Sequence, residues 1–551
     1  MKKSISLKQI VCDIYLAVLF VVYPLFQHNG YYDMGMNKYY FYLISTIAFL
    51  VLLVITIVTD PDTFKSSNKS KRKNSKKKTN TPEASLTFKE KLINLKDKFL
   101  AWFKPLSIVE KFVWAYLACI IISFIFGINK YVGFWGSDGW QMGLLVQCLM
   151  IACFFVFAKV WEPDMLPFYF SMAGSSLVFL LGILMRFGID PLGNYEGLDT
   201  YYVQMFISTI GQSSWYSGYM CAVFPLGVGL YFISEDKKTR IISGLYSVLT
   251  FCALAIHDSD SEILGIGCFC LVLLWLAFNN MKSLTRTLEI YTMIAFAFAF
   301  MGVVRRGLIN SFNGPDSITL KISDNGLIIP TFIALLIITV LCHCLGKNSF
   351  NQISFKNDKI LKIIRKVIFI IIAFVPVLIA VFIYLNTKWK LGFIFEEGHK
   401  YNNYMYFDQY WGNMRGSSWK ACALIFMDYP LWRKLIGIGP DSLFVISQYN
   451  ERYRSILDLV FESDNVLTCA HNEFFNSIVT YGIIGGIAYI GIFASGIYRY
   501  VKEYIKKPIV ILGAMCIASY CGHNFFCYQT VLCTPFILVI MGICEANISK
   551  N

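Results

Sequence analysis

The stretch YFYLISTIAFLVLLVITIV, residues 40–58, decides the class of fold because it runs for its whole length without a charged residue. A helix of about 20 residues is about 30 Å long, which matches the hydrocarbon core of a bilayer. Similar runs recur along the 551-residue chain, which is 56% hydrophobic and 15% charged, whereas soluble domains carry about 25% charged residues. The runs lack the period-two alternation of transmembrane β-strands. The sequence therefore predicts an all-α polytopic membrane protein.

About fourteen apolar runs are predicted to be transmembrane helices. They cover residues 10–27, 39–58, 108–126, 142–158, 166–186, 215–233, 241–257, 262–279, 288–304, 326–345, 367–385, 473–497, 508–526 and 531–547. No small-residue cleavage site follows the first run, which is therefore interpreted as a retained span. The predicted parts of the chain are an N-terminal two-span segment (1–58), a basic cytoplasmic loop (59–107), a transmembrane bundle (108–385), an extracytoplasmic cap (386–472) and a C-terminal three-span segment (473–551).

The distribution of Lys and Arg predicts the orientation of these spans. Within a net charge of +14, the stretch KSSNKSKRKNSKKK at 65–78 contains eight basic residues and no acid. Lys/Arg-rich loops stay in the cytoplasm. Alternation then places four more basic loops inside, namely 234–240, 279–287, 346–366 and 498–507. Both termini are predicted to lie on the cytoplasmic side of the membrane, and Arg305 and Arg306 are the exceptional basic pair outside.

The segment 386–472 is far longer than the other predicted outer loops and is not of low complexity. It contains GSSWKACALIFMDYPLW, then a GIGPDS turn at 437–442, then LFVISQYNERYRSILDLVF. Both flanking stretches have the apolar period of short amphipathic helices, and Pro430 and Pro440 interrupt them. The segment is therefore predicted to be a folded helical cap on the outer membrane face.

A polar cluster precedes the Gly-rich run in AHNEFFNSIVTYGIIGG, residues 470–486. If this stretch is helical throughout, His471, Phe474, Ile478 and Gly482 share one face. Its glycines leave a smooth strip where another helix can approach closely. The span is predicted to pack inside the bundle with His471 at its outer tip, facing the cap. The alternative is an interfacial histidine that only caps the helix and meets lipid headgroups.

The order of motifs between residues 405 and 500 resembles the O-antigen ligase and O-antigen polymerase superfamily. An arginine is followed by a Trp-bearing amphipathic helix, a proline, a Gly-x-Gly turn and, about thirty residues later, His-Asn before a Gly-rich span. The matching residues are Arg415, Trp419, Pro430, Gly437, Gly439, His471, Asn472, Gly482 and Gly485. The stretch GQSSWYSGYM at 211–220 resembles the start of a mid-chain span in that family. The remainder of the chain is similar only in its pattern of spans.

This resemblance implies ten to fourteen spans with one large extracytoplasmic loop. It also implies transfer of a glycan from an undecaprenyl-diphosphate carrier to an acceptor sugar hydroxyl on the outer face, as a polymerase or as a ligase. Arg415 would contact the diphosphate and His471 would lie near the acceptor, with Trp419 and Asn472 as further substrate contacts. The implied partners are the lipid-linked donor, the glycan acceptor, the lipid bilayer and other polysaccharide-assembly proteins, and no nucleic acid.

The chemistry of such a transfer favours the same residue types. Departure of a lipid diphosphate builds negative charge on its oxygens, and a guanidinium offers them two charge-assisted bonds without ever deprotonating. The attacking hydroxyl must lose its proton, and an imidazole with a pKa of about 6.5 suits that task. Glu473 would orient the imidazole or act as the base itself. No acidic pair has convincing metal-ligand spacing, so neither a metal nor another cofactor is expected.

The chain departs from the family where a mid-chain span often carries an arginine in a Ser-Arg motif. The corresponding stretch here, HDSDSEILGIG at 257–267, contains Asp260 and Glu262 and no arginine. In one interpretation a neighbouring outer helix end supplies the second cation: Arg186, Arg305 or Arg306. In the other, which is favoured because acids repel a diphosphate, Asp260 and Glu262 contact sugar hydroxyls. The stretch could also be only a polar turn between two spans.

Two other functions stay open at this point. An exporter of lipid-linked oligosaccharide also has many spans and a basic inner face, but it lines a central cavity with polar residues near mid-membrane. Here the polar residues gather at the outer helix ends, which favours an enzyme. Within enzymes, a peptidoglycan-polymerase-like protein would depend on an outer acid such as Asp408 or Asp441 rather than on His471.

Overall fold

The computed structural model describes residues 6–59, 105–346, 359–389, 404–459 and 467–550. Most of the predicted loop 59–107 and parts of the predicted cap 386–472 lie outside these ranges. Within them the chain is helical almost throughout, and the single sheet is a pair of two-residue antiparallel strands, Phe206–Ile207 and Gly211–Gln212. The prediction of an all-α chain with many apolar helices is confirmed.

Nine helices in the described part of the chain are long and apolar enough to cross a membrane. They are Leu7–Leu25, Met34–Thr59, Ile108–Ile125, Leu166–Arg186, Ser213–Ile233, Asp260–Ala277, Met281–Gly307, Lys359–Trp389 and Glu473–Glu503. Two further helices, Ile318–Asp324 and Ile328–Cys344, are long and apolar enough to cross a membrane only when taken together, and the angle between them is 73°. Three shorter apolar helices are Leu144–Lys159, Pro508–Asn524 and Thr534–Ser549. Lys237–Ala255 is another long helix, whose first turn is basic.

The remaining helices are short and join or cover the ends of the long ones. They are Lys130–Trp135, Thr200–Met205, Leu431–Ile436, Leu443–Tyr449 and Glu451–Leu457, together with the longer Trp411–Asp428. Asn129, Asp199 and Asn450 start three of them, because each side chain accepts a hydrogen bond from a backbone N–H of the first turn.

Ser213–Ile233 is the central helix, since 94% of its apolar 18-residue stretch is buried inside the protein. It packs against Leu166–Arg186, Lys237–Ala255 and Ile511–Asn524. The helix Lys359–Trp389 lies at the periphery, since none of its apolar 18-residue stretch is buried inside the described part of the protein. Its side chains are exposed on nearly all sides. The core therefore surrounds the helix whose N-terminal end carries the GQSSWYSGYM stretch.

Polar contacts sort the loops into two groups, one at each end of the long helices. One group includes the contacts of Asp441 with Met142, Asn313 with Arg186, Ser317 with His257 and Thr209 with Pro24. The other includes the contacts of Lys282 with Glu235, Arg365 with Asn279, Arg499 with Glu545 and Lys550 with Glu162. This is the grouping expected when neighbouring helices run antiparallel.

The described part of the predicted cap has a small core of its own. The predicted amphipathic stretch forms the helix Trp411–Asp428, which ends just before Pro430. The second stretch forms two helices rather than one, because Asn450 interrupts it and caps the second. Their apolar faces meet the start of the helix Glu473–Glu503 in one cluster, comprising Ala421, Cys422, Ile425, Tyr429, Ile438, Leu443, Tyr453, Leu457, Leu467, Ala470 and Val479.

The helix predicted through His471 and Gly482 is wrong at both positions. The helix begins at Glu473, and His471 lies before it with a left-handed backbone (φ 48°). Gly482 has φ 74° and ψ 175°, so it breaks the helix. The break frees the carbonyl of Thr480, which accepts hydrogen bonds from Ile438 N at 2.9 Å and from Ser123 Oγ at 3.1 Å. The Gly-x-Gly turn thus docks at the break.

Candidate functional site

A polar cavity of about 340 Å³ lies at one end of the bundle. Its wall combines the N-terminal ends of Ser213–Ile233 and Asp260–Ala277 with Tyr404, Arg415 and Phe526. Ligand pockets of proteins have volumes of about 300–1,000 Å³. Three separate sequence predictions meet on this wall: Arg415, Asp260 and the start of the 211–220 stretch.

A turn inside the helix Trp411–Asp428 positions Arg415. Gly412, Asn413 and Met414 have φ values of 60°, 58° and 66°, so the helix is interrupted immediately before the arginine. Such left-handed residues are costly outside glycine, and they occur where the surrounding structure holds them. The turn brings Asn413 and Arg415 together onto the cavity wall.

The guanidinium of Arg415 is bonded to backbone carbonyls rather than to an acid. Its Nε donates to the carbonyl of Phe526 at 2.8 Å and its Nη1 to that of Gly412 at 2.7 Å. Its central carbon is 5.7 Å from the ring centre of Phe526. Among the described residues no carboxylate forms an ion pair with it. Arg415 therefore brings to the cavity a positive charge that no described carboxylate pairs.

Three carboxylates line the same cavity, and two of them are ion-paired. Asp258 accepts from Arg186 Nη2 at 2.7 Å and from Ser213 Oγ at 2.6 Å. Asp316 is 3.1 Å from Lys321 Nζ.

The third carboxylate, Asp260, has no cationic partner among the described residues. Its Oδ1 accepts from Ile318 N at 3.0 Å, and its Oδ2 accepts from the Tyr404 hydroxyl at 3.3 Å. Asp260 is thus the carboxylate of the wall that no described cation pairs.

Glu262, predicted to contact substrate, lies behind the wall instead. Its side chain is fully buried, and its Oε2 is 2.7 Å from His257 Nδ1. The other ring nitrogen of His257 is 3.3 Å from Asp258 Oδ1. Arg186, one of the candidates for a second cation, is also fully buried and neutralises Asp258. These four residues form a buried charge network that supports the wall.

The loop Phe525–Gln529 connects the other predicted site residues. The ring of His471 meets the ring of Tyr528 edge-on at 5.1 Å. Glu473 is fully buried, and its Oε2 accepts from Gln529 N at 2.9 Å. Asn472 caps the helix by accepting from Phe475 N at 3.0 Å. The His-Asn-Glu cluster therefore starts its helix and holds this loop.

Trp419 joins the same loop from the other side. Its ring stacks on Phe526 at 6.2 Å with an interplanar angle of 7°, and Trp411 packs against it at 5.0 Å. Consequently Arg415, Trp419, His471 and Glu473, which are far apart in sequence, all contact residues between 526 and 529. This convergence was not predicted from the sequence.

His471 is an uncharged imidazole near neutral pH. Burial, and then the positive charge of Arg415, lower the pKa of His471 to about 3. A base with so low a pKa accepts a proton only weakly. His471 is also absent from the residues that line the cavity, so its ring contacts the supporting loop rather than the wall.

Arg305 and Arg306 lie away from the cavity, at the bent helix pair. Both are paired with Asp324; Arg306 Nη1 is 3.6 Å from its Oδ1. They neutralise the C-terminal end of the short helix Ile318–Asp324 rather than line the cavity. Neither residue contributes a free cation to the wall.

Sequence reasoning missed a buried chain of hydroxyl, thiol and imidazole groups beneath the cavity. Ser217 Oγ lies 2.8 Å from His523 Nε2 and 3.0 Å from Ser259 Oγ. Ser259 contacts Ser261 at 2.8 Å, and Cys527 Sγ lies 3.2 Å from Ser261 Oγ. The signal was the polar run GHNFFCYQT at 522–530 between two apolar runs.

The thiol of Cys527 has an unusual electrostatic environment within this chain of groups. Burial alone would raise its pKa, but the positive charge and hydrogen bond of His523, with help from Arg415, lower the pKa of Cys527 to about 6. The thiol is therefore largely ionised at pH 7. Within the described ranges no group of three or more His, Cys, Asp or Glu side chains is arranged to hold a metal ion.

No protein-family model matches the chain, and no curated protein matches it.

Proposed function

We propose that this chain is an integral-membrane glycosyltransferase of the bacterial cell membrane. It transfers or polymerises glycan from an undecaprenyl-diphosphate-linked donor onto an acceptor sugar hydroxyl at the outer face. The observation that carries the proposal is the guanidinium of Arg415, which no described carboxylate pairs, on the wall of a polar cavity at the helix ends.

An unpaired arginine in a partly enclosed cavity calls for an anionic ligand. Desolvated charges are costly unless they are paired, and Arg415 makes only two bonds to carbonyls. A diphosphate supplies oxygens that match the guanidinium geometry. Ser213, Ser214 and Asp260 on the same wall offer hydroxyl and carboxylate groups that suit sugar hydroxyls. A ligand with an anionic and a polyhydroxyl part therefore fits the cavity best.

The proposal includes fourteen membrane crossings with both termini in the cytoplasm. The nine long helices, the bent pair, the three shorter apolar helices and Lys237–Ala255 together supply them. The end of the bundle that carries the cavity would then face outward, with the segment 404–459 over it. The basic loops would face the cytoplasm, as the positive-inside rule expects.

An exporter is the second candidate function, and the position of the polar cavity argues against it. The cavity between spans that is lined by Tyr116, Gln147 and Gln529 has a volume of about 20 Å³. This is room for about one water molecule. The polar cavity of 340 Å³ lies at the helix ends, where an enzyme acting on a lipid-linked sugar needs it.

A peptidoglycan-polymerase-like reaction centred on an outer acid is also less well supported. Asp441 Oδ2 accepts from Ser137 N at 3.0 Å and from Met142 N at 2.7 Å. Asp408 Oδ1 accepts from Tyr410 N at 3.0 Å. Neither of these acids lines the 340 Å³ cavity, and both bond to the backbone of their surroundings.

The test is Arg415→Lys in protein purified into lipid nanodiscs with an undecaprenyl-diphosphate oligosaccharide. Lysine keeps the charge but loses the planar fork. Hydrogen bonds to charged groups contribute about 1.5–3 kcal/mol, so the transfer rate should fall roughly tenfold to a hundredfold. Arg433→Lys is the matched control, since Arg433 stacks on Trp432 at 4.4 Å outside the cavity. Absence of any transfer by the wild-type protein, or equal rates for the two variants, would overturn the proposal.

A further inference from the structure

We propose that Asp260 accepts the proton of the acceptor hydroxyl, so that Arg415 and Asp260 act as the cation and the base of one site. This assignment rests on the proposed function and differs from the assignment of the base to His471. It is carried by the pattern of ion pairs on the cavity wall.

The first argument is elimination among the carboxylates of the wall. Arg186 neutralises Asp258, which also accepts from the Ser213 hydroxyl. Asp316 is largely exposed to solvent and lies 3.1 Å from Lys321 Nζ. A carboxylate held by a cation and by hydroxyls is a poor proton acceptor, because its charged form is already stabilised. Asp260 is the wall carboxylate for which the described residues provide no such cation.

The second argument is the state of the Asp260 oxygens. A carboxylate has about four acceptor sites, and the structure uses only two of them, for Ile318 N and for the Tyr404 hydroxyl at the long distance of 3.3 Å. The bond from Ile318 fixes the orientation of the carboxylate. The remaining acceptor sites can receive a substrate hydroxyl from the cavity.

The third argument is the connection between Asp260 and Arg415. Tyr404 bonds to Asp260, and its own carbonyl accepts from Trp411 Nε1 at 3.4 Å, next to the turn that carries Arg415. The positive charge of Arg415 is close enough to act on the Tyr404 phenol. The base and the cation are therefore held by one set of contacts, whereas His471 packs on Tyr528 outside the wall.

The proposed step is a displacement at the anomeric carbon of the donor. The acceptor oxygen forms a bond to that carbon as its proton moves to Asp260, and the bond from the carbon to the diphosphate oxygen breaks. The bonding electron pair leaves with the diphosphate, whose added charge Arg415 stabilises. The proton on Asp260 is released to solvent when the products leave.

The test compares Asp260→Asn with His471→Gln in single-turnover transfer, using the same nanodiscs and donor. Asparagine keeps an oxygen for Ile318 N but cannot accept a proton. General-base catalysis contributes about a hundredfold to ten-thousandfold, so Asp260→Asn should lose at least a hundredfold while still binding undecaprenyl diphosphate. His471→Gln should keep a larger share of the rate. Asp428→Asn is the control, since Asp428 pairs with Arg452 on the protein surface.

Chemical rescue separates a base from a purely structural residue. Asp260→Ala leaves space in the cavity, and added acetate should restore transfer in proportion to its concentration. If the wild-type protein is active and Asp260→Asn transfers glycan at the same rate, the assignment of the base is refuted while the proposed function stands. The same holds if Asp260→Ala loses activity that acetate does not restore. Wild-type inactivity would refute the proposed function and this assignment together.

Discussion

At the scale of single residues, the two arginines near the cavity differ in what neutralises them. Arg186 is fully buried and paired with Asp258, whereas Arg415 rests on two carbonyls. The sequence alone offered both as candidate ligands for a diphosphate. Pairing depends on which loops meet in space, so only the structure separates a structural arginine from one that is free to bind.

The reactivity of the Cys527 thiol is predicted to depend on pH. Its pKa of about 6 implies that its reaction rate with methyl methanethiosulfonate is half-maximal near pH 6, because the thiolate is the nucleophile. Because the pKa is lowered, the Cys527 thiol becomes a thiolate as the pH rises through about 6 and is protonated again below that pH. Peptide mass spectrometry after timed labelling of the detergent-solubilised protein measures this rate at one site.

Cys422 is the internal control for that experiment. It is as buried as Cys527, but burial raises its pKa to about 12. Cys422 should therefore remain unlabelled across the same pH range. A Cys527 profile that rises only above pH 8 would contradict the influence of His523 and Arg415 on this thiol.

The candidate site could be predicted only in part at residue scale. Arg415 was predicted from motif order and Asp260 from the stretch that departs from the family's Ser-Arg motif, and both lie on the cavity wall. Glu262 is two positions from Asp260, yet it turns into the protein to meet His257. A helix of 3.6 residues per turn sends such positions to different sides, but the sequence does not indicate where the helix begins.

At the scale of elements, long apolar runs predicted most helices well, whereas breaks within helices were missed. The turn at 412–414 and the break at Gly482 both depend on close approach by another segment. Propensity within one segment carries no information about that approach. The glycine strip was therefore predicted to allow close packing of another helix, whereas Gly482 breaks the helix and lets the turn at 437–439 bind there.

Gly482→Ala should be strongly destabilising. Its φ of 74° disfavours any side chain, and an added Cβ would overlap the carbonyl of Leu435. Backbone strain and overpacking each cost about 1–3 kcal/mol, so the free energy of unfolding should fall by about 2–6 kcal/mol. Thermal unfolding of the detergent-solubilised protein measures the effect as a lower melting temperature.

Gly267→Ala provides the matched comparison. Gly267 lies within the helix Asp260–Ala277, and an added Cβ there would meet nothing within 4 Å. Alanine favours the helix by up to about 1 kcal/mol, so this variant should melt at the same temperature or slightly higher. Equal losses in both variants would show that the break at Gly482 has no special role.

At the scale of the whole molecule, the polar contacts already sort the loops into two ends, and the positive-inside rule assigns a side to each. Asn450→Cys, in the segment 404–459, should react with a membrane-impermeant maleimide in intact cells. Lys506→Cys, in a basic loop, should react only after the membrane is ruptured. The unsubstituted protein is labelled in parallel, and the labelling of its native cysteines is subtracted.

Labelling of position 450 only after rupture would reverse the orientation. The cavity would then open to the cytoplasm, and the proposed reaction on the outer face would fail with it. The overall class of fold would be unaffected, since it depends on apolar helices rather than on their direction.

The loop Phe525–Gln529 has a consequence for how the protein is made. It contacts Arg415, His471 and Glu473, yet it is synthesised after all three of them. The helices that carry those residues can enter the membrane before the loop exists. A nascent chain that stalled before residue 525 would therefore present an unfinished site, and the proposed activity would begin only once the helices on both sides of this loop had been inserted.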